Sequence, residues 1–200
     1  MESYIKIEGK KIQLEGKLQK KSSKKAVVIC HPHPLYGGNM DNPVVMTIAE
    51  AFVEKKVSTL RMNFRGVGNS TGTFDNGVGE KKDVAAAMTW LMDKGYEQIY
   101  LAGYSFGARM TASVVEGGCQ IQDHVMVSPP VGFMSFNEIE TMPSTGLIVT
   151  GSNDEIAPAS LVRDHLNRWK ITPQFEVIQN CDHFYSGCLD KLKAILTAYL

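Results

Sequence analysis

The residues best suited to chemistry are Gly103-Tyr104-Ser105-Phe106-Gly107, which follow the apolar run Gln98-Ile99-Tyr100-Leu101-Ala102 and precede a segment of helical character. Gly-x-Ser-x-Gly between a strand and a helix is the pattern of a nucleophile elbow. This sharp turn lifts a serine hydroxyl above the end of a sheet. Such a turn strains the serine backbone. Glycines two residues before and two after let strand and helix approach where a Cβ would collide. The first amides of the following helix point at the serine, where negative charge would develop. The same five residues also suit a plain glycine-flanked turn, so the rest of the chain must supply partners.

A serine hydroxyl is a poor nucleophile at neutral pH. It needs a base within hydrogen-bond reach, and the base needs an orienting acid. After Ser105 the candidate acid is Asp154, just past the apolar run Gly146-Leu147-Ile148-Val149-Thr150, with Glu155 as the fallback. The candidate base is His183, in Asn180-Cys181-Asp182-His183-Phe184. The order Ser, Asp, His is the one that strand-to-helix elbows use. Taken singly, Asp154 also suits a helix cap and His183 a solvated loop. Of the other histidines, His165 falls in a predicted helix, His124 opens a strand at the wrong end, and His31 and His33 precede the serine.

A tetrahedral oxyanion needs two donors. The amide of Phe106, next after the nucleophile, is one. The second is expected from His31-Pro32-His33-Pro34-Leu35-Tyr36-Gly37-Gly38. Prolines have no N–H, which leaves His33 and then Leu35. His31-x-His33 has no Cys, Asp or Glu at ligand spacing nearby, so no metal is expected there.

Strands and helices must bring these loops together. Tyr4-Ile5-Lys6-Ile7-Glu8 and Ile12-Gln13-Leu14-Glu15-Gly16-Lys17-Leu18 alternate apolar and polar residues about Gly9-Lys10-Lys11, which predicts an N-terminal hairpin with one buried face. Ala26-Val27-Val28-Ile29-Cys30 is continuously apolar, as in a strand covered on both sides. Asn42 as cap and Pro43 at the first position start a helix. A strand over 57–64 leads into the glycine-rich stretch 65–72, which lacks the Gly-Lys-Ser/Thr of a phosphate loop. A helix over 79–94, the strand and helix around Ser105, strands at 124–128, 146–150 and 174–178, and helices at 158–169 and near 189–199 complete the alternation. This order predicts an α/β fold, a mostly parallel sheet with helices on both faces. Loops 31–38, 103–107, 152–155 and 181–186 all follow strands and should meet at the carboxyl edge of that sheet.

Composition narrows the function. The chain has 200 residues, 44% of them hydrophobic, which suits one globular domain over 1–200. Lys+Arg and Asp+Glu each total 21, without the basic excess of a nucleic-acid binder. Lysines 17, 20, 21, 24 and 25 suit a solvated strand end. No apolar run approaches the ~20 residues of a membrane span. The start lacks signal-peptide character, and no two of the four cysteines form Cys-x-x-Cys. A reduced, cytoplasmic protein is expected.

Together, His31-Pro-His-Pro-Leu-Tyr-Gly-Gly, Asn63-Phe-Arg-Gly-Val-Gly-Asn-Ser, Gly103-Tyr-Ser-Phe-Gly-Ala, Gly151-Ser-Asn-Asp and Asp182-His-Phe resemble the small bacterial α/β-hydrolases near the dienelactone-hydrolase and X-prolyl-peptidase branches. The resemblance runs from about residue 25 to the C-terminus. It implies a sheet of about eight strands, with Ser105, Asp154 and His183 as triad and no cofactor. Dienelactone hydrolases carry a cysteine nucleophile where this chain has Ser105, so lactone hydrolysis is not implied. Residues 131–145, where larger members insert a cap domain, are too few to form one. An open site is therefore expected, edged by Tyr36, Phe74, Phe133, Met134 and Phe136. The resulting expectation is a serine hydrolase of small-molecule esters or thioesters with short or exposed acyl groups. A peptidase or amidase and a non-catalytic ligand-binding module are the alternatives. The sequence does not fix the oligomeric state.

Overall fold

The computed structural model describes residues 2–200. The N-terminal alternation forms β1 (Glu2–Gly9) and β2 (Ile12–Gln19), paired antiparallel with Ile7 opposite Leu14. Both of those side chains are fully buried, so one face of the hairpin is core. The apolar runs form β3 (Lys25–Cys30), β4 (Ser58–Met62), β5 (Gln98–Tyr104), β6 (Asp123–Val127), β7 (Thr145–Gly151) and β8 (Gln174–Ile178). The sheet order is β1-β2-β4-β3-β5-β6-β7-β8. The β1–β2 and β2–β4 pairs are antiparallel, and every pair from β4 to β8 is parallel.

Five helices cover the two faces: α1 (Pro43–Glu54), α2 (Val78–Asp93), α3 (Phe106–Glu116), α4 (Ala159–Arg168) and α5 (Leu189–Tyr199). Asn42 caps α1 by accepting the Val44 N–H, with Pro43 first in the helix. The strand pleat divides the core. Val27, Ile29, Ala102 and Tyr104 face α1 and α5, while Val28, Leu101 and Met126 face α2, α3 and α4. Both faces are apolar because both are covered, which explains the unbroken hydrophobic runs. Among the described residues, no helix is long and apolar enough to cross a membrane.

β3 lies between β4 and β5, so the chain leaves β3 in one direction and returns on the other side. That reversal opens a crevice at the carboxyl ends of β3 and β5, where ligands of such sheets bind. The glycine-rich exit from β4 is a brace on β2. Thr71 N–H donates to the Gln13 carbonyl at 2.9 Å, Glu15 N–H to Ser70 Oγ at 2.9 Å, and Asn69 N–H to Glu15 at 3.0 Å. Arg65 closes the other side through a 2.6 Å bond to the buried carboxylate of Asp83.

Residues 131–145 build no cap. They press down on α3, with Phe136, Ile139 and Met142 buried. Arg109 of α3 holds them, donating from Nε to the Ser135 carbonyl at 2.7 Å and pairing with Glu138. Its guanidinium sits 5.1 Å from the Phe136 ring centroid. The expected place of Phe136 at the rim is therefore corrected. It is a core residue packed against Trp169, 5.3 Å between ring centroids, because the short segment must fill the space beside α3.

Candidate active site

The elbow is tight, and its glycines explain how. A Cβ on Gly103 would lie 2.4 Å from the Gly107 carbonyl, and one on Gly107 would lie 2.2 Å from the carbonyl oxygen of Cys30. Strand, helix and the end of β3 therefore meet with no room for side chains. Ser105 takes φ 53 and ψ −119, a sparsely populated conformation for a residue with a Cβ. Its N–H donates to the Val127 carbonyl at 2.9 Å, which ties the strained residue to β6.

The loops after β5, β7 and β8 converge on this turn. His183 Nε2 lies 2.9 Å from Ser105 Oγ, and His183 Nδ1 lies 2.9 Å from both carboxylate oxygens of Asp154. All three side chains are buried. Asp154 Oδ1 also accepts the N–H groups of Ile156 at 3.0 Å and Ala157 at 2.7 Å. Burial alone would raise its pKa. The bonds and charge of His183, with the Ser128 hydroxyl and the Ala157 amide, outweigh that and hold it below the ordinary carboxylate range. An ionised carboxylate only accepts, so Nδ1 carries a proton, and in the neutral imidazole Nε2 presents its lone pair to Ser105. Glu155, the fallback acid, is exposed and makes no bond to His183.

The His31–Gly38 loop coils beside the elbow. Tyr36 and Gly38 donate their N–H groups to the His33 carbonyl, each at 3.1 Å. Gly38 is required by this coil, since a Cβ there would lie 2.1 Å from the Pro32 oxygen. The Leu35 amide donates to His33 Nδ1 at 3.2 Å, and the Leu35 side chain points to solvent. This corrects Leu35 as a second donor, because its proton is used within the loop. Among the described residues, the amides of His33 and Phe106 find no protein acceptor. The His33 ring is held among Tyr36, Phe74 and Phe106 at centroid distances of 4.8, 5.0 and 4.9 Å. Both nitrogens of His31 are engaged inside the protein. Nε2 accepts the Phe64 N–H at 3.1 Å, and Nδ1 lies 2.6 Å from the Pro32 carbonyl.

An open cleft of about 530 Å³ lies over Ser105. Tyr36, Phe133 and Met134 line it, as expected from sequence. Phe74 does not, which is a correction: it is half-buried and packs against the His33 ring and the core under α3. The lining residues that were not anticipated include Tyr104, Pro130, Ile156 and Phe184. Two of them had a signal, since Tyr104 is the variable residue of the Gly-x-Ser motif and Phe184 follows the candidate base. Among the described residues, no Asp, Glu, Lys or Arg lines the cleft. A larger cavity of about 950 Å³ lies on the outer side of α3, beside Val78, Lys82 and Ile139, and touches neither Ser105 nor His183.

This architecture has solved counterparts. An α/β serine hydrolase homologue from Coxiella burnetii is 38% identical, with 99% of this chain and 97% of that one covered and a TM-score of 0.92. An α/β serine hydrolase without a lid, from Xanthomonas campestris, is 28% identical, with 98% and 92% covered and a TM-score of 0.90. An uncharacterised protein of Rickettsia prowazekii is 36% identical over 200 residues, 94% of this chain and 84% of that protein. No protein-family model matches the chain.

Proposed function

The chain belongs to the small α/β-hydrolase superfamily, and from that premise we propose that it cleaves carboxylic esters or thioesters through an acyl-enzyme. The observation that carries this is the 2.9 Å approach of His183 Nε2 to Ser105 Oγ, with Asp154 on the far side of the imidazole. His183 takes the Ser105 proton as Oγ attacks the carbonyl carbon. The amides of Phe106 and His33 hold the resulting oxyanion. His183 then passes the proton to the leaving alcohol or thiol, and the acyl group stays on Ser105. Water enters, gives a proton to His183, and releases the acid by the same steps in reverse. Asp154 keeps the imidazole in one tautomer and stabilises the cation formed in each step.

Without a cap, the acyl group rests in an open cleft, which favours short or exposed acyl groups. A panel of p-nitrophenyl esters from acetyl to dodecanoyl tests this, with rates that hold or fall as the chain grows. A steep rise with length would sink the preference. Labelling by a fluorophosphonate probe, lost in Ser105→Ala, tests the nucleophile.

A peptidase reading finds no support in the cleft, which offers no carboxylate to a peptide amine. A non-catalytic ligand-binding module has no use for strain at Ser105. The four cysteines are free thiols, as suits the reducing cytoplasm we propose for it.

A further inference from the structure

We propose that Tyr36 and Phe133 form an acyl subsite for an uncharged, flat acyl group, an aromatic ring above all; this rests on the ester-hydrolase reading. Two aromatic groups of different parentage line the cleft around Ser105. His183 and Phe184 form one. His183 packs on Tyr104, 5.5 Å between centroids, and Tyr104 belongs to the core under α1 and α5. Tyr36 and Phe133 form the other. Tyr36 leans on His33, and His33 on Phe106, a member of the core under α3. Met134, next to Phe133, packs against that same core. The leaving group must lie within reach of His183 Nε2, because that atom delivers its proton. The acyl group is thereby directed to the Tyr36–Phe133 wall.

That wall has the chemistry of a ring-binding site. Tyr36 comes from the loop after β3 and Phe133 from the segment after β6, the two strands that flank β5. Their rings meet at 6.4 Å between centroids and 65° between planes, which bridges the two loops. Tyr36 is 75% and Phe133 62% exposed, so neither ring fills the core. Exposed aromatic area beside a candidate nucleophile is available to a ligand. A third ring beneath them can meet both in edge or offset contact. With no charged side chain along the cleft, an acyl group that carries a carboxylate finds no partner there.

The test compares p-nitrophenyl acetate, phenylacetate, cyclohexylacetate and monosuccinate, with each kcat/KM divided by the ester's rate of alkaline hydrolysis. Phenylacetate is expected to exceed cyclohexylacetate by about tenfold, although the saturated ring is at least as apolar. Monosuccinate is expected to fall below acetate. In Phe133→Leu and Tyr36→Leu, which keep apolar bulk but remove the ring, the phenyl-to-cyclohexyl ratio should drop towards one. Both side chains are exposed, so the variants should fold, and a thermal melt checks it. A wild-type ratio of one or less, on a protein that turns over acetate and takes the fluorophosphonate label, overturns the subsite and leaves the esterase reading standing. An unchanged ratio in both leucine variants also overturns it. A wild-type protein that neither labels nor hydrolyses any of the four esters overturns both.

Discussion

The hydroxyl of Tyr104 donates to the main-chain carbonyl of His183 at 2.9 Å, so the residue before the candidate nucleophile fixes the loop of the candidate base. The bond is buried and spans 79 residues of sequence. Tyr104→Phe leaves that carbonyl unpaired, at a cost of about 1–3 kcal/mol. We expect a lower Tm and a kcat reduced about tenfold with little change in KM, because imidazole placement matters most in the transition state. A kcat equal to wild type would show that the loop holds itself.

Strain at Ser105 can be weighed separately from chemistry. At φ 53 and ψ −119 the residue occupies a region that glycine enters freely. Ser105→Gly and Ser105→Ala should both abolish fluorophosphonate labelling. Ser105→Gly should nevertheless be the more stable in urea unfolding, by about 1–3 kcal/mol, because only it relaxes the backbone. Equal stabilities would mean that the turn stores no energy.

Much of this was legible in the residues themselves. The alternation of β1 and β2, the doubly covered β3, the Asn42–Pro43 helix start and the converging loops of Ser105, Asp154 and His183 follow from local rules. Rim and core could not be told apart in the same way. Tyr36, Phe74, Phe133 and Phe136 are all aromatics between the long elements, yet two face the cleft, one packs half-buried against His33 and one is core. Which way each turns depends on the gap left beside α3 and beneath His33, a tertiary quantity with no local mark. Leu35 failed for a similar reason. Proline removes a donor visibly, but the capture of the Leu35 proton by the ring of His33 needs the folded loop.

The loop we propose for the oxyanion can be displaced by one atom. Gly38 has room for no Cβ, because one would lie 2.1 Å from the Pro32 oxygen. Gly38→Ala must push that strand of backbone away and carry the His33 amide with it. Loss of one such donor typically lowers kcat about 10²–10³-fold. Ester hydrolysis should fall by that order while circular dichroism stays native. Wild-type turnover would exclude the His33 amide from the hole.

Acid should weaken the fold well above the range where most carboxylates titrate. His124 is fully buried between Thr145 Oγ1 and Thr111 Oγ1, each at 2.9 Å, and burial pushes its pKa down to about 3. Burial likewise pushes His31 down to about 4, with the Pro32 carbonyl opposing in part. Unfolded, both return to about 6.5. Between those limits these two histidines bind about two protons in the unfolded chain that they do not bind in the native one, so their contribution to stability rises with pH at up to about 2.7 kcal/mol per unit. The contribution is complete above pH ~6.5 and is lost as pH falls towards the native values. Asp83 and Asp123, raised by burial, act with the opposite sign. A variant is therefore needed to isolate the histidines. Urea unfolding at pH 7 and pH 5 should show a clear loss for wild type, and His124→Gln, which keeps a polar group near the threonines but cannot titrate, should lose about half as much. Equal losses in the two proteins would show that His124 takes up its proton without unfolding.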